Sequence, residues 1–218
     1  MIKAIIFDMD GTLLNSEELW FSSARDILKK YSADLTEREY RSWIGKDEIE
    51  FLHEKAAAGG YKADGRALSA ERAELVLDTV YDYPMKADEN FMKIIPELKE
   101  KGMRIGLATG TRSIVTVAFL QKLEIKEIFD AVITSTDVTN RKPDPETYTA
   151  CAKALEVSPE ECLVFEDSET GVESAKAAGM VCIAVPTHLS MSQDFSKADL
   201  VINERKKISM KLLSRWIE

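Results

Sequence analysis

The sequence predicts an α/β fold, a parallel sheet covered on both faces, in a chain that is interrupted early by an all-helical insert. After residue 100, short apolar runs alternate with helical patterns of roughly ten residues, which is how parallel strands joined by crossover helices read. A single run of the same kind stands alone at the N-terminus. Between the two lies a stretch of helix starts with no convincing strand. At 218 residues the chain is long for one compact core and short for two full-sized domains, which suits a core with a smaller inserted module.

The first strand is Lys3-Ala4-Ile5-Ile6-Phe7, mostly apolar and followed by Asp8 and Asp10, the pattern of a strand buried on both faces. Residues 16–83 then carry four helix starts. Ser16 precedes Glu17 and Glu18, Thr36-Glu37-Arg38-Glu39 forms a capping box, Asp47-Glu48-Ile49-Glu50 is a similar one, and Ser69 precedes Glu71. The first of these helices sets Trp20, Ala24, Ile27, Leu28 and Tyr31 at helical spacing and closes on Lys29-Lys30, where cations complement the helix dipole. Ala58-Gly59-Gly60 and Asp64-Gly65 break the segment between the third and fourth helices. The expected division is 1–15 and 84–218 for the α/β core and 16–83 for the helical insert. Later strands are expected at 103–108, 131–134, 162–165, 181–185 and 199–202. Between them, 114–123 presents Val117, Leu120 and Leu123 as an apolar stripe. A helix over 146–155 follows Asp144-Pro145 as cap and first helical residue, and one over 172–178 stops at Gly179.

Composition narrows the function. With 45% hydrophobic and 31% charged residues the chain is an ordinary folded protein. A net charge of −9 has the wrong sign for a nucleic-acid footprint or a membrane-surface protein. No apolar run approaches the ~18 residues of a membrane span, and the opening residues have no leader character, so a cytoplasmic protein is expected. Cys151, Cys162 and Cys182 are odd in number, widely spaced and set among apolar residues, as reduced buried thiols are. Two histidines build no histidine-rich metal site, and His53 and His188 are given no role.

Ligands of open parallel sheets bind beyond the carboxyl ends of the strands. The first strand is followed by Asp8-Met9-Asp10-Gly11-Thr12 and the second by Thr109-Gly110-Thr111. Arg141-Lys142-Pro143 comes shortly after the third, and Glu166-Asp167-Ser168 after the fourth. Taken singly, these are turn-capping aspartates, a helix cap, a turn hydroxyl and a solvated lysine. Together they converge on one sheet edge. Asp8 and Asp10, read as facing one side of an extended segment, are costly like charges unless a cation binds. With Glu166 and Asp167 they favour a hard divalent cation held by oxygen. Phosphoryl transfer is the chemistry this set suits. Asp8 would attack phosphorus and form an aspartyl-phosphate, while Mg²⁺ bridges Asp8, the phosphate and Asp167. Lys142, kept out of helical geometry by Pro143, would bind phosphate oxygens with Thr109 and the Gly110-Thr111 amides. Asp10 suits general acid, then base.

The ordered set resembles the haloacid dehalogenase-like hydrolase superfamily over nearly the whole chain. Phe7-Asp8-Met9-Asp10-Gly11-Thr12-Leu13 and Phe165-Glu166-Asp167-Ser168-Glu169-Thr170-Gly171-Val172 are similar to its β-phosphoglucomutase-like branch. That resemblance implies a Rossmann-like core with an inserted four-helix cap, and a Mg²⁺-dependent phosphatase or phosphomutase. It implies Asp8 as nucleophile, Asp10 as acid/base, and metal on Asp8, the Asp10 carbonyl and Asp167, with Glu166 mainly behind them. The acid at position 10 departs from the dehalogenases and from the phosphonate hydrolases. Trp20 stands where the mutases carry a cap histidine, and Glu48 near where they carry a phosphate-gripping arginine. An acid there opposes a bisphosphate held by both ends. The expectation is therefore a monomeric phosphatase of small phosphorylated metabolites, sugar phosphates foremost, ahead of a sugar phosphomutase. A non-catalytic regulatory protein that binds phosphorylated metabolites is the alternative of another class, and the presence of nucleophile, lysine and metal acids together speaks against it. Substrate choice is expected from the cap, whose closure excludes water. Its loop Trp43-Ile44-Gly45-Lys46-Asp47 is the candidate, with Lys46 and Trp20 as possible contacts, Trp20 being read rather as cap core.

Overall fold

The computed structural model describes residues 1–45 and 47–217. The chain forms two compact units, one of residues 1–15 with Lys86 onward, the other Ser16–Met85. The first is built on a six-stranded parallel sheet of β1 (Ala4–Phe7), β2 (Arg104–Ala108), β3 (Ala131–Ile133), β4 (Cys162–Glu166), β5 (Val181–Ala184) and β6 (Leu200–Val201), in the order β3-β2-β1-β4-β5-β6. Every residue of β1 and β4 is buried, as their unbroken apolar runs require. Phe7 lies opposite Leu107 on one side and Phe165 on the other, so the ends of three central strands are level. The edge strands are anchored by side chains just ahead of them. Asp130 accepts the Ile105 N–H at 2.7 Å and Asp199 the Cys182 N–H at 2.7 Å.

The second unit is all-helical, with α1 (Glu17–Lys29), α2 (Glu37–Trp43), α3 (Glu48–Ala58) and α4 (Gly65–Thr79). Thr36 and Glu39 form the expected capping box of α2, and Asp47 caps α3 by accepting the Ile49 and Glu50 N–H groups. Ser16 stands at the N-cap of α1 without a side-chain cap bond. The fourth helix corrects the sequence reading. It begins at Gly65 under an Asp64 cap, and Ser69 is buried inside it. The glycine is there for proximity to α3: a Cβ at position 65 would lie 2.0 Å from the Ile49 carbonyl oxygen. Arg72 of α4 is buried at the centre of this unit. It pairs with Glu48 at 3.1 Å, donates to Ser23 Oγ at 3.1 Å and to Tyr40 Oη at 3.3 Å, and lies over the Trp20 ring at 4.8 Å.

Five further helices belong to the α/β unit: α5 (Glu89–Glu100), α6 (Ser113–Lys122), α7 (Glu146–Ala154), α8 (Glu169–Ala177) and α9 (Met210–Ile217). The sequence reading singled out neither α5 nor α9. The former carries Pro96 in its interior, a residue that usually argues against a helix. Phe91 of α5 packs on Phe7 and Phe165 with ring centroids 5.0 and 4.7 Å away. Burying such a ring is worth about 1.5–3 kcal/mol. The stripe expected of α6 is turned. Val117 is exposed, and Val115, Phe119 and Leu120 face the core, because the apolar residues of this helix run almost all round it. Helix α7 starts one residue later than its proline suggests, with Pro145 at the cap position and Asp144 accepting the Glu146 N–H at 2.9 Å. Cys151, Cys162 and Cys182 are free and buried in one cluster with Tyr148, and burial pushes the Cys162 thiol up to about 12.

Candidate active site

The carboxyl ends of β1, β2 and β4 deliver the site. Asp8 stays on the sheet edge, donating its N–H to the Phe165 carbonyl at 3.0 Å. The chain then turns sharply. The Leu13 and Leu14 N–H groups both donate to the Met9 carbonyl, and Gly11 takes φ +81°, a conformation that favours glycine. The Asp10 carboxylate stays close enough to Asp8 for its charge to help raise the Asp8 pKa. Asp8, Glu166 and Asp167 offer carboxylate oxygens within 4.8 Å of one another, all buried. The Asp10 carboxylate instead accepts Thr111 Oγ1–H at 2.6 Å and lies 3.4 Å from Thr109 Oγ1.

Lys142 reaches the centre of this group from the segment after β3, through a cis Lys142-Pro143 peptide. Its Nζ donates to Asp8 Oδ1 at 2.7 Å and to Glu166 Oε1 at 2.8 Å, with Tyr148 Oη at 2.9 Å and the Ala108 carbonyl at 3.2 Å. The loop that carries it is pinned, because Glu146 accepts the Thr139 and Asn140 N–H groups at 2.8 and 2.7 Å. Glu166 is engaged on both oxygens: Oε1 by Lys142 and by Tyr148 at 2.9 Å, Oε2 by the Ser168 N–H at 2.9 Å and its hydroxyl at 3.0 Å. Gly171 makes room for it, since a Cβ there would lie 1.7 Å from Oε1. Asp167 accepts Thr12 Oγ1–H at 3.1 Å.

Burial drives the Asp8 carboxyl well above its ordinary pKa, and Lys142 opposes the rise. Burial also works against the Lys142 ammonium, but Asp8 and Glu166 outweigh it and hold its pKa above the ordinary lysine value. Three carboxylates facing one ammonium leave an excess of negative charge in a buried place, which a divalent cation relieves. The donor set is entirely oxygen, the preference of a hard cation such as Mg²⁺. Asp8, Glu166 and Asp167 are thus the residues that fit a metal.

Thr109 is buried at the end of β2, where its hydroxyl also accepts the Thr111 N–H at 3.0 Å. That bond uses an amide which the sequence reading assigned to phosphate. Gly110 is exposed, with open space around its α-carbon. Trp20 lies half-buried in the helical unit with the Arg72 guanidinium over its ring, and Lys46 falls outside the described residues. The sequence reading gave no role to Tyr148 or Arg205, and none to the Thr111 hydroxyl. Thr12 and Thr111 sit inside motifs already singled out, and their hydroxyls beside acids were the available signal. Tyr148 carries none, since it reads as an ordinary apolar position of α7.

The profile described as haloacid dehalogenase-like hydrolase matches residues 5–185. The chain is 34% identical over 179 residues, 82% of each chain, to a phosphorylated carbohydrates phosphatase of Thermotoga maritima. It is 29% identical over 224 residues to the β-phosphoglucomutase of Bacillus subtilis, covering 97% of this chain and 94% of that one. Among solved structures, CbbY from Rhodobacter sphaeroides in complex with phosphate superimposes with a TM-score of 0.82 at 25% identity, over 96% of this chain and 97% of that one.

Proposed function

Given that this chain belongs to the haloacid dehalogenase-like hydrolase family, we propose that it is a Mg²⁺-dependent phosphatase of small phosphorylated carbohydrates that works through an aspartyl-phosphate. The observation that carries the reading is Lys142 Nζ bonded to both Asp8 and Glu166, at 2.7 and 2.8 Å, where Asp167 offers a further carboxylate oxygen within 4.8 Å of theirs. Asp8 Oδ attacks phosphorus, the bond to the sugar oxygen breaks, and the phosphoryl group moves to the carboxylate. Asp10, bonded to Thr111, gives a proton to the leaving oxygen and then takes one from the water that hydrolyses the acyl phosphate. Lys142 and Thr109 hold phosphate oxygens, and the saturated hydrogen bonding of Glu166 fixes Lys142 rather than freeing Glu166 for chemistry. Bound Mg²⁺, held by Asp8 and Asp167, would neutralise charge on the phosphoryl oxygens. The phosphorylated carbohydrates phosphatase supports the substrate class.

A sugar phosphomutase is the second reading, favoured by the full-length likeness to a β-phosphoglucomutase. Against it, position 48 is an acid, and its partner Arg72 is buried and turned to Glu48, Ser23 and Tyr40. A panel of sugar phosphates with Mg²⁺, scored for free phosphate and for isomerised sugar phosphate, separates the two. Free phosphate is expected; isomer without phosphate release overturns the phosphatase reading. Asp8→Asn is expected to fold normally and to release no phosphate, and more than a few per cent of residual Mg²⁺-dependent turnover would remove Asp8 from the nucleophile's role.

A further inference from the structure

We propose that Arg205 is a positioning residue that locks the Asp8–Thr12 loop in its working geometry, an inference that rests on the phosphatase reading above. Arg205 comes from a short 3-10 turn, Arg205–Lys207, just beyond the edge strand β6, far along the chain from the loop it serves. Its guanidinium is aimed at backbone. Nη1 donates to the Thr12 carbonyl and to Asp88 Oδ2 at 3.2 Å, while Nη2 donates to the Gly11 carbonyl and to the Val185 carbonyl at 3.1 Å. One planar group thus ties together the loop after β1, the end of β5 and the cap residue of α5.

Gly11 and Thr12 directly follow Asp10, and the hydroxyl of Thr12 is the group that donates to Asp167 Oδ1. The carbonyl of Thr12 is held by Arg205 and its side chain holds Asp167, so a shift of this residue moves the acid/base and a metal-fitting acid together. Asp88 closes the other side. Its N–H donates to the Leu13 carbonyl at 2.8 Å, and the neighbouring Asn15 and Lys86 are paired by Asn15 N–H to Lys86 carbonyl at 3.2 Å and Lys86 N–H to Asn15 Oδ1 at 2.6 Å. These bonds fix the two strands of chain where the helical unit leaves and returns, and Arg205 bonds to both of them through Gly11, Thr12 and Asp88. A lysine cannot reproduce the arrangement, because a single ammonium has no fork to span two carbonyls and a carboxylate. Arg205 touches no reacting atom; it acts through Thr12.

The test is steady-state kinetics on the full chain with Arg205→Met and Arg205→Lys, using a sugar phosphate the wild type hydrolyses, with and without added guanidinium ion. Misplacing supporting groups of this kind costs about 10- to 100-fold in rate. Arg205→Met is expected to lose kcat by that factor with KM within about threefold of wild type, since the phosphate-binding Lys142 is untouched. Guanidinium is expected to recover part of the loss, and Arg205→Lys to fall between the two. A folded Arg205→Met with kcat within about twofold of wild type, or a variant whose loss is all in KM, overturns the proposal. If Arg205→Met does not fold, an unchanged kcat in Arg205→Lys overturns it. Amide hydrogen exchange at Leu13 and Leu14 keeps the test independent of the enzymology. Should the wild type prove inactive on every ester, the function reading falls. Faster exchange of those amides in Arg205→Lys would then still support the clamp, and unchanged exchange would sink it.

Discussion

Tyr148 shows how much of the site depends on a group that does no chemistry. Its hydroxyl is buried and bridges Lys142 and Glu166 at 2.9 Å each, and the Lys142 ammonium lies 4.5 Å from the ring centroid. Tyr148→Phe keeps the ring and removes the bridge. Hydrogen bonds to charged partners contribute about 1.5–3 kcal/mol, so urea denaturation is expected to show a loss in that range. A loss below about 0.5 kcal/mol, the level of ordinary surface substitutions, would mean that Glu166 and Lys142 satisfy each other without it. The sequence made Asp8, Lys142, Glu166 and Asp167 legible because each follows a short apolar strand, where chemistry in parallel sheets collects. It left Tyr148 and Arg205 hidden for the opposite reason. One occupies a helix position that any aromatic residue could fill, and the other lies in a charged stretch, Arg205-Lys206-Lys207, that reads as solvated.

Elements, rather than residues, decide whether the acids can approach one another. Helix α8 begins so close to Glu166 that only a glycine fits at position 171. Gly171→Ala forces its methyl against a carboxylate held on both oxygens, and is expected to lower the melting temperature and reduce Mg²⁺-dependent turnover together. Normal turnover in the variant would show that α8 can retreat. In the helical unit, the capping box of α2 offers a test of different sign. The Lys55 partner and the Thr36 bonds hold the Glu39 carboxyl down at about 2, from an ordinary value of 4.5. A lowered folded pKa stabilises above the unfolded value and is lost as the pH falls through the folded one. Glu39→Gln is therefore expected to be less stable than wild type at neutral pH, with the gap closing as the pH falls from 4.5 towards 2. A gap that does not change with pH would remove the charge from the account. The six strands of the α/β unit were readable, because each is a short apolar run, whereas α5 and α9 were not. Helix α4 was misplaced because Gly65, admitted by the close passage of α3, looks in sequence like a breaker.

For the whole molecule, the buried negative excess around Asp8 is a store of unfavourable energy that a cation binding only the native state removes. Saturating Mg²⁺ is expected to raise the melting temperature of the wild type and to leave Asp167→Asn nearly where it was. An equal rise in both would place the ion elsewhere. No helix among the described residues is long and apolar enough to cross a membrane. At the borders of the sheet, β3 has three residues and β6 only two, each preceded by an aspartate that occupies a neighbouring N–H. Unpaired backbone on a border strand is what lets a stranger's strand zip on, and rows this brief offer almost nothing to grip. Lengthening either one by straightening the turn beyond it would be the simplest way to make this protein sticky at high concentration.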